Sequence, residues 1–187
     1  MKYIILSSLF GILFSLQLKA QNDTIDNRSY YFDDGLNIDK GIIKLGLFTL
    51  VEKELQLSYE FPLTTRFTIE SGAGLIFPSE EESSIGTRSA TRELGYSLLL
   101  HPKYYILQDY PESFNMGFLL KRHAFELDNV ATDFVDFTIM FANQWIIGNR
   151  YTIEGQYGFG LRSKSSNRKS RNEDALSLLQ INIGIIL

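Results

Sequence analysis

From Gly41 onward the chain repeatedly alternates large apolar residues with polar residues or glycine, one for one, and this period of two restricts the fold more than any other feature. A helix needs an apolar period near 3.6, whereas a period of two sends successive side chains to opposite faces of a strand. The clearest stretches are Leu55 to Phe61, Phe67 to Phe77, Leu94 to Ile106, Tyr151 to Arg162 and Leu179 to Leu187. Extending the pattern gives eight candidate strands: Gly41 to Leu50, Lys53 to Phe61, Arg66 to Phe77, Arg92 to Leu107, Asn115 to Leu127, Asp133 to Ile147, Tyr151 to Arg162 and Ala175 to Leu187. An all-β chain with two chemically distinct sheet faces follows.

What precedes the strands is of another kind. Met1, Lys2 and Tyr3 make a short basic start, and Ile4 to Leu18 an apolar run interrupted by Ser7, Ser8, Ser15 and Gln17. Such a run is short for a spanning helix and fits a secretion signal over residues 1–20, with cleavage after Ala20. Residues 21–40 are polar and acidic and form a periplasmic lead-in, in which Asp33-Asp34-Gly35 is expected to make a turn rather than a calcium loop. Residues 41–187 are then one domain, since no Pro- or Ser-rich linker divides the 187-residue chain. The absence of cysteine excludes disulfides and thiolate metal sites. A net charge of −4, more negative once Lys2 and Lys19 leave with the signal, argues against a nucleic-acid partner.

The connections obey an order that the strand assignment did not impose. If both chain ends lie on the periplasmic side, the second, fourth and sixth connections should be short turns, and Pro62 to Thr65, Gln108 to Phe114 and Gly148 to Arg150 are compact. The third and seventh, Pro78 to Thr91 and Ser163 to Asp174, are long and polar, as outward loops should be. The first, around Val51 and Glu52, is very short and the fifth, Asp128 to Thr132, modest. Gly148-Asn149-Arg150 suits a three-residue hairpin loop, so Ile147 should pair with Tyr151, Gln144 with Glu154, and Asp136 with Arg162 in a cross-strand ion pair.

Side-chain size indicates which face looks inward. The polar face is rich in glycine, including Gly46, Gly72, Gly74, Gly95, Gly158, Gly160 and Gly184, and these suit the narrow bore of an eight-stranded barrel. The many bulky groups of the other face are easier to place outside. Phe61, Phe67, Tyr104, Trp145 and Tyr151 adjoin the short turns and are expected to form an interfacial aromatic girdle. The expectation is an eight-stranded antiparallel up-and-down transmembrane β-barrel. A soluble periplasmic ligand-binding barrel has the same alternation with the faces reversed.

In this architecture, and in the final segment Leu178-Leu179-Gln180-Ile181-Asn182-Ile183-Gly184-Ile185-Ile186-Leu187, the chain resembles the small eight-stranded outer-membrane proteins of Gram-negative bacteria, the outer membrane protein A/X-like class. Leu187 stands where that class frequently carries an aromatic residue. The resemblance covers Gly41 to Leu187. It implies residence in the outer membrane of a Gram-negative bacterium, contact with outer-membrane lipid and lipopolysaccharide, and insertion by the barrel assembly machinery. It implies no cofactor.

The candidate lumen carries Lys44, Glu54, Glu60, Glu70, His101, Lys103, Lys121, Asp136, Glu154 and Arg162. Buried charges are costly unless paired, so a network of both signs should plug the bore. Centring the fourth connection on Pro111 sets His101 beside Lys121 and Leu99 beside His123. Two histidines lack the further ligand that a metal needs, and neither is followed two positions on by the serine of the lipid-modifying barrels, so no catalytic, metal or cofactor residue is expected. Arg122 falls on the apolar face, where an unpaired arginine costs about 2–4 kcal/mol near a bilayer midplane. A bulge near Pro102 turning Lys121-Arg122-His123 inward is the expected remedy, and a lipid headgroup bound to Arg122 the other. Lys164, Arg168, Lys169 and Arg171 make a basic outward loop, and Glu80-Glu81-Glu82 an acidic one. The expected role is structural or surface-interacting, without enzymatic activity and with the surface partner unspecified. The alternatives are a narrow channel, a lipid-modifying enzyme and a soluble binding barrel.

Overall fold

The structure is a computed structural model that describes residues 40–47, 53–82, 89–107, 110–128, 130–148, 150–166 and 173–187. The signal, the lead-in up to Asp39, and Arg168, Lys169 and Arg171 of the basic loop lie outside the described residues. The strands are β1 Ile42–Gly46, β2 Glu54–Pro62, β3 Phe67–Ile76, β4 Ser79–Glu82, β5 Ser89–Arg92, β6 Gly95–Tyr105, β7 Ser113–Leu127, β8 Val130–Ile147, β9 Tyr151–Ser166 and β10 Glu173–Ile186. Leaving out β4 and β5, eight strands follow one another antiparallel, and β10 pairs back onto β1, from Ile42 with Ile186 to Gly46 with Asn182. The sheet is a closed barrel.

Three connections differ from the sequence expectation. The third is not an open loop: β4 and β5 pair as a hairpin, and Arg92 continues the ladder onto Leu127 of β7. Pairing satisfies backbone groups that a polar composition alone says nothing about. The fifth is tighter than expected, because β8 begins at Val130 and Asp128 takes φ 51°, a left-handed conformation that aspartate tolerates in a turn. Strands β7, β8 and β9 are therefore longer than β2 and β3. The sixth connection follows its turn chemistry, with Gly148 at φ 60° and the register Ile147 with Tyr151, Gln144 with Glu154 and Asp136 with Arg162.

The fourth connection corrects the register expected between β6 and β7. Lys121 lies opposite Leu99, not His101, and His123 lies opposite Ser97, not Leu99. Pro111 is not the apex. Tyr110 folds back under the barrel, its ring edge-on to Tyr105 at 5.5 Å and packed with Ile42. Its amide donates to Thr65 O at 2.8 Å and its hydroxyl to Lys40 O at 3.0 Å, and burial pushes the Tyr110 phenol above its usual pKa. Burying this ring shifts the pairing by two residues. A slip of two keeps every side chain on its own face, so facing survived while the cross-strand partners changed.

The ladder lacks pairs at His101 and Pro102, and the register is the same on both sides of the gap. Proline removes one donor without adding a residue to the strand, so the expected bulge does not form. Arg122 consequently stays on the outer face.

The apolar face of the sheet is the exposed one and the polar face is buried. Leu57 is 56 % exposed, Phe137 52 % and Phe159 50 %, whereas Lys44, Glu60, Lys103 and Glu154 are at most 1 % exposed. Outward phenylalanines stack across three strands, Phe114 on Phe141 at 6.4 Å and Phe141 on Phe159 at 6.2 Å. Gly117 shows why the inner face carries glycine: a Cβ there would strike the Pro102 carbonyl oxygen and lie 2.8 Å from His101 Nε2.

Candidate functional site

Alternation aims the inward residues of eight strands into one narrow space, and the charged ones gather at two levels. At the short-turn end, Lys44 of β1, Glu60 of β2, Glu70 of β3, Lys103 of β6 and Glu154 of β9 converge. Lys44 Nζ pairs with Glu60, with Glu154 Oε2 at 2.7 Å and with Glu70 Oε2 at 3.7 Å. Lys103 Nζ meets the same three carboxylates, Glu70 at 2.5 Å, Glu154 at 2.8 Å and Glu60 at 3.3 Å. Neutral groups take up further lone pairs. Tyr105 and Thr68 hydroxyls donate to Glu60 Oε1 at 2.8 and 2.6 Å, Ser58 donates to Glu70, and Gln156 and Asn182 donate to Glu154. Hydrogen bonds to the remaining oxygens are what let charges persist away from water.

At the loop end, Lys121 of β7 donates to Glu54 at 2.9 Å and to Gln56 at 3.0 Å. Arg162 of β9 grips both oxygens of Asp136 at 2.7 Å, and His123 Nε2 lies 3.1 Å from Asp136 Oδ2. The Arg162 and Asp136 contact is the pair expected from the hairpin count. Between the levels sits an aliphatic layer of Leu99, Leu119 and Met140 with Leu178 packed against it. On β7 and β8, Leu119 and Met140 lie two and four residues to the short-turn side of the loop-end charges Lys121 and Asp136, and on β6 Leu99 lies four residues to the loop side of Lys103. Below the turn-end charges, Ile42, Tyr105, Tyr110 and Ile186 form a second apolar layer.

The chemistry open to this interior is narrow. Glu60, Glu70 and Glu154 offer three oxygens within 4.8 Å of one another, a spacing that suits a metal ion. Two lysine ammonium groups already occupy that position, so the carboxylates have their counter-charge. His101 is 1 % exposed and its Nε2 has no hydrogen-bond partner among the described residues. It stands opposite Glu70 on β3 and leans across Gly117. Ser97, His123 and Asp136 do come together, with Ser97 opposite His123. The Ser97 hydroxyl, however, donates to Glu54 Oε1 at 2.6 Å, and all three side chains are buried. A nucleophilic serine needs a base on its hydroxyl and a path for substrate.

On the outer surface the five aromatic residues expected to form a girdle lie on the apolar face near the short turns: Phe67 pairs with Tyr104, Tyr151 with Ile147, Trp145 with Ile153 and Phe61 with Ile69. Arg122, left outward by the missing bulge, donates through Nη2 to both oxygens of Asp133 at 3.2 and 3.3 Å. Lys164 lies in β9, with its backbone opposite Phe134. Sequence reasoning missed the two apolar layers, because an inward leucine reads as a lapse in the alternation, and missed Tyr110 because it lies in a turn. It also missed a ladder of rings at the loop end, in which Arg92 covers Phe125, Phe125 meets Phe134 at 5.5 Å and Arg162 covers Phe134. No protein-family model matches the chain, and no curated protein or solved structure matches it.

Proposed function

We propose that this chain is an integral outer-membrane β-barrel with a plugged polar interior, serving as a structural wall element and a surface for interaction outside the cell. The observation that carries this reading is the reversed burial: a continuous apolar exterior around a bore filled by ion pairs. A soluble binding barrel would put the bulky apolar face inside around its ligand. A conducting pore needs a continuous watery path, and two apolar layers plus two lattices of paired charges oppose one. The long strands β7, β8 and β9 and the hairpin of β4 and β5 belong to the outward end, where a surface role would be exercised.

Fractionation tests the location. The full-length protein is expected in the outer-membrane fraction, with a band whose gel mobility changes on boiling; recovery in the soluble periplasm sinks the reading. Planar bilayers test the plug. The purified protein is expected to give no single-channel steps, and regular steps would favour the channel.

A further inference from the structure

We infer that Arg122 is a binding point for the phosphate of a membrane lipid, set at the outer border of the apolar belt. The inference rests on the membrane reading above. Arg122 is the first charge that alternation places on the outward surface of β7, following the outward residues Phe114, Met116, Phe118 and Leu120. Its backbone lies between Leu98 of β6 and Val135 of β8, both outward and exposed. The apolar run therefore ends at Arg122 on this strand, and Ala124 and Glu126 continue above it.

The guanidinium is half-used. Its side chain is 52 % exposed, and only Nη2 reaches Asp133, at 3.2 and 3.3 Å. A well-made arginine–carboxylate pair is a fork of two parallel bonds from two nitrogens at about 2.7–2.9 Å. Here one nitrogen spans both oxygens at longer range, and among the described residues Nη1 and Nε make no further hydrogen bond. Tyr96, the cross-strand partner of Ala124, is 49 % exposed and brings an outward phenol to the same border. A phosphate fits this set by charge and by fork geometry, and the apolar side chains below it suit the acyl chains of the same lipid. Asp133 is then a competitor that holds the guanidinium until a phosphate takes its place.

The test uses the full chain folded in detergent micelles, with lipid adducts counted by native mass spectrometry. Dimyristoyl phosphatidic acid, dimyristoylglycerol and inorganic phosphate are the probes. The wild type is expected to hold phosphatidic acid and not the diglyceride. Arg122→Ala should weaken that binding about tenfold, and Arg122→Lys should restore only part of it, because an ammonium lacks the fork. Asp133→Asn should tighten it, a change of sign that a merely structural pair does not predict. Equal binding by wild type and Arg122→Ala overturns the inference, as does equal binding of the diglyceride or capture of inorganic phosphate at the same affinity as the lipid. Each variant's heat-modifiable band shows that its barrel is formed. Loss of that band in the wild type would instead overturn the membrane reading itself.

Discussion

The two charged levels of the interior are built on the same inward strand faces yet live in different surroundings. At the turn end, Lys44, Lys103, Glu60 and Glu154 have fully buried side chains and Glu70 nearly so. At the loop end, Arg162 is 32 % exposed while its partner Asp136 is 1 % exposed. The first set exchanges partners among five groups that water does not reach. In the second, Lys121 and Glu54 are nearly as buried, but Arg162 reaches back from the rim to its partner. Similar distances therefore stand for different energies, since removing one member of a buried set strands a charge, whereas a rim pair is screened by water and salt.

The largest effect should come from Lys103→Met, which leaves Glu60, Glu70 and Glu154 with Lys44 alone. Unfolding in urea, followed by the gel-mobility shift, should show a loss of about 3–5 kcal/mol. Adding Glu154→Gln should recover part of it, and no recovery would mean that Lys103 acts by packing rather than charge. Gly117→Ala presses a methyl against the Pro102 carbonyl beside the same cluster and should destabilise by about 1–3 kcal/mol. A neutral outcome would show that β6 can shift. At the loop end, Arg162→Ala should lose about 1.5–3 kcal/mol, less than Lys103→Met because Asp136 keeps His123 beside it and water reaches the rim, and the gap to wild type should narrow as salt is raised to about 1 M. A loss as large as that of Lys103→Met would erase the contrast between the levels. The smallest stability effect is expected for Asp133→Asn on the outer face, within about 0.5 kcal/mol, so its influence should be read in lipid binding.

The sequence made some of these features legible for a definite reason. Period-two patterning reports which face a residue occupies, so the inward set from Lys44 to Arg162 could be written down strand by strand. A short hairpin adds register, and for β8 and β9 that was enough to pair Asp136 with Arg162. Where a connection is longer, tertiary burial takes over. Tyr110 leaves the turn to fill the base of the barrel, and the pairing of β6 with β7 moves by two residues in a way that no local rule encodes. The strand status of Ser79–Glu82 and Ser89–Arg92 was hidden for a related reason, because polar residues pair through their backbones as readily as apolar ones.

Tyr110 also bears on the order of assembly. Its amide is held by Thr65 in the turn after β2, and its hydroxyl by Lys40, the residue before Gly41 at the entry to β1. Because β1 pairs with β10 as well as with β2, its place at that end is complete only when the last strand has arrived. Contacts that join residues 40, 65 and 110 carry a large loop-closure entropy and gain their full reward late. The tyrosine thus acts as a clasp at the base of the barrel, tying the entry to β1 to the turn after β2.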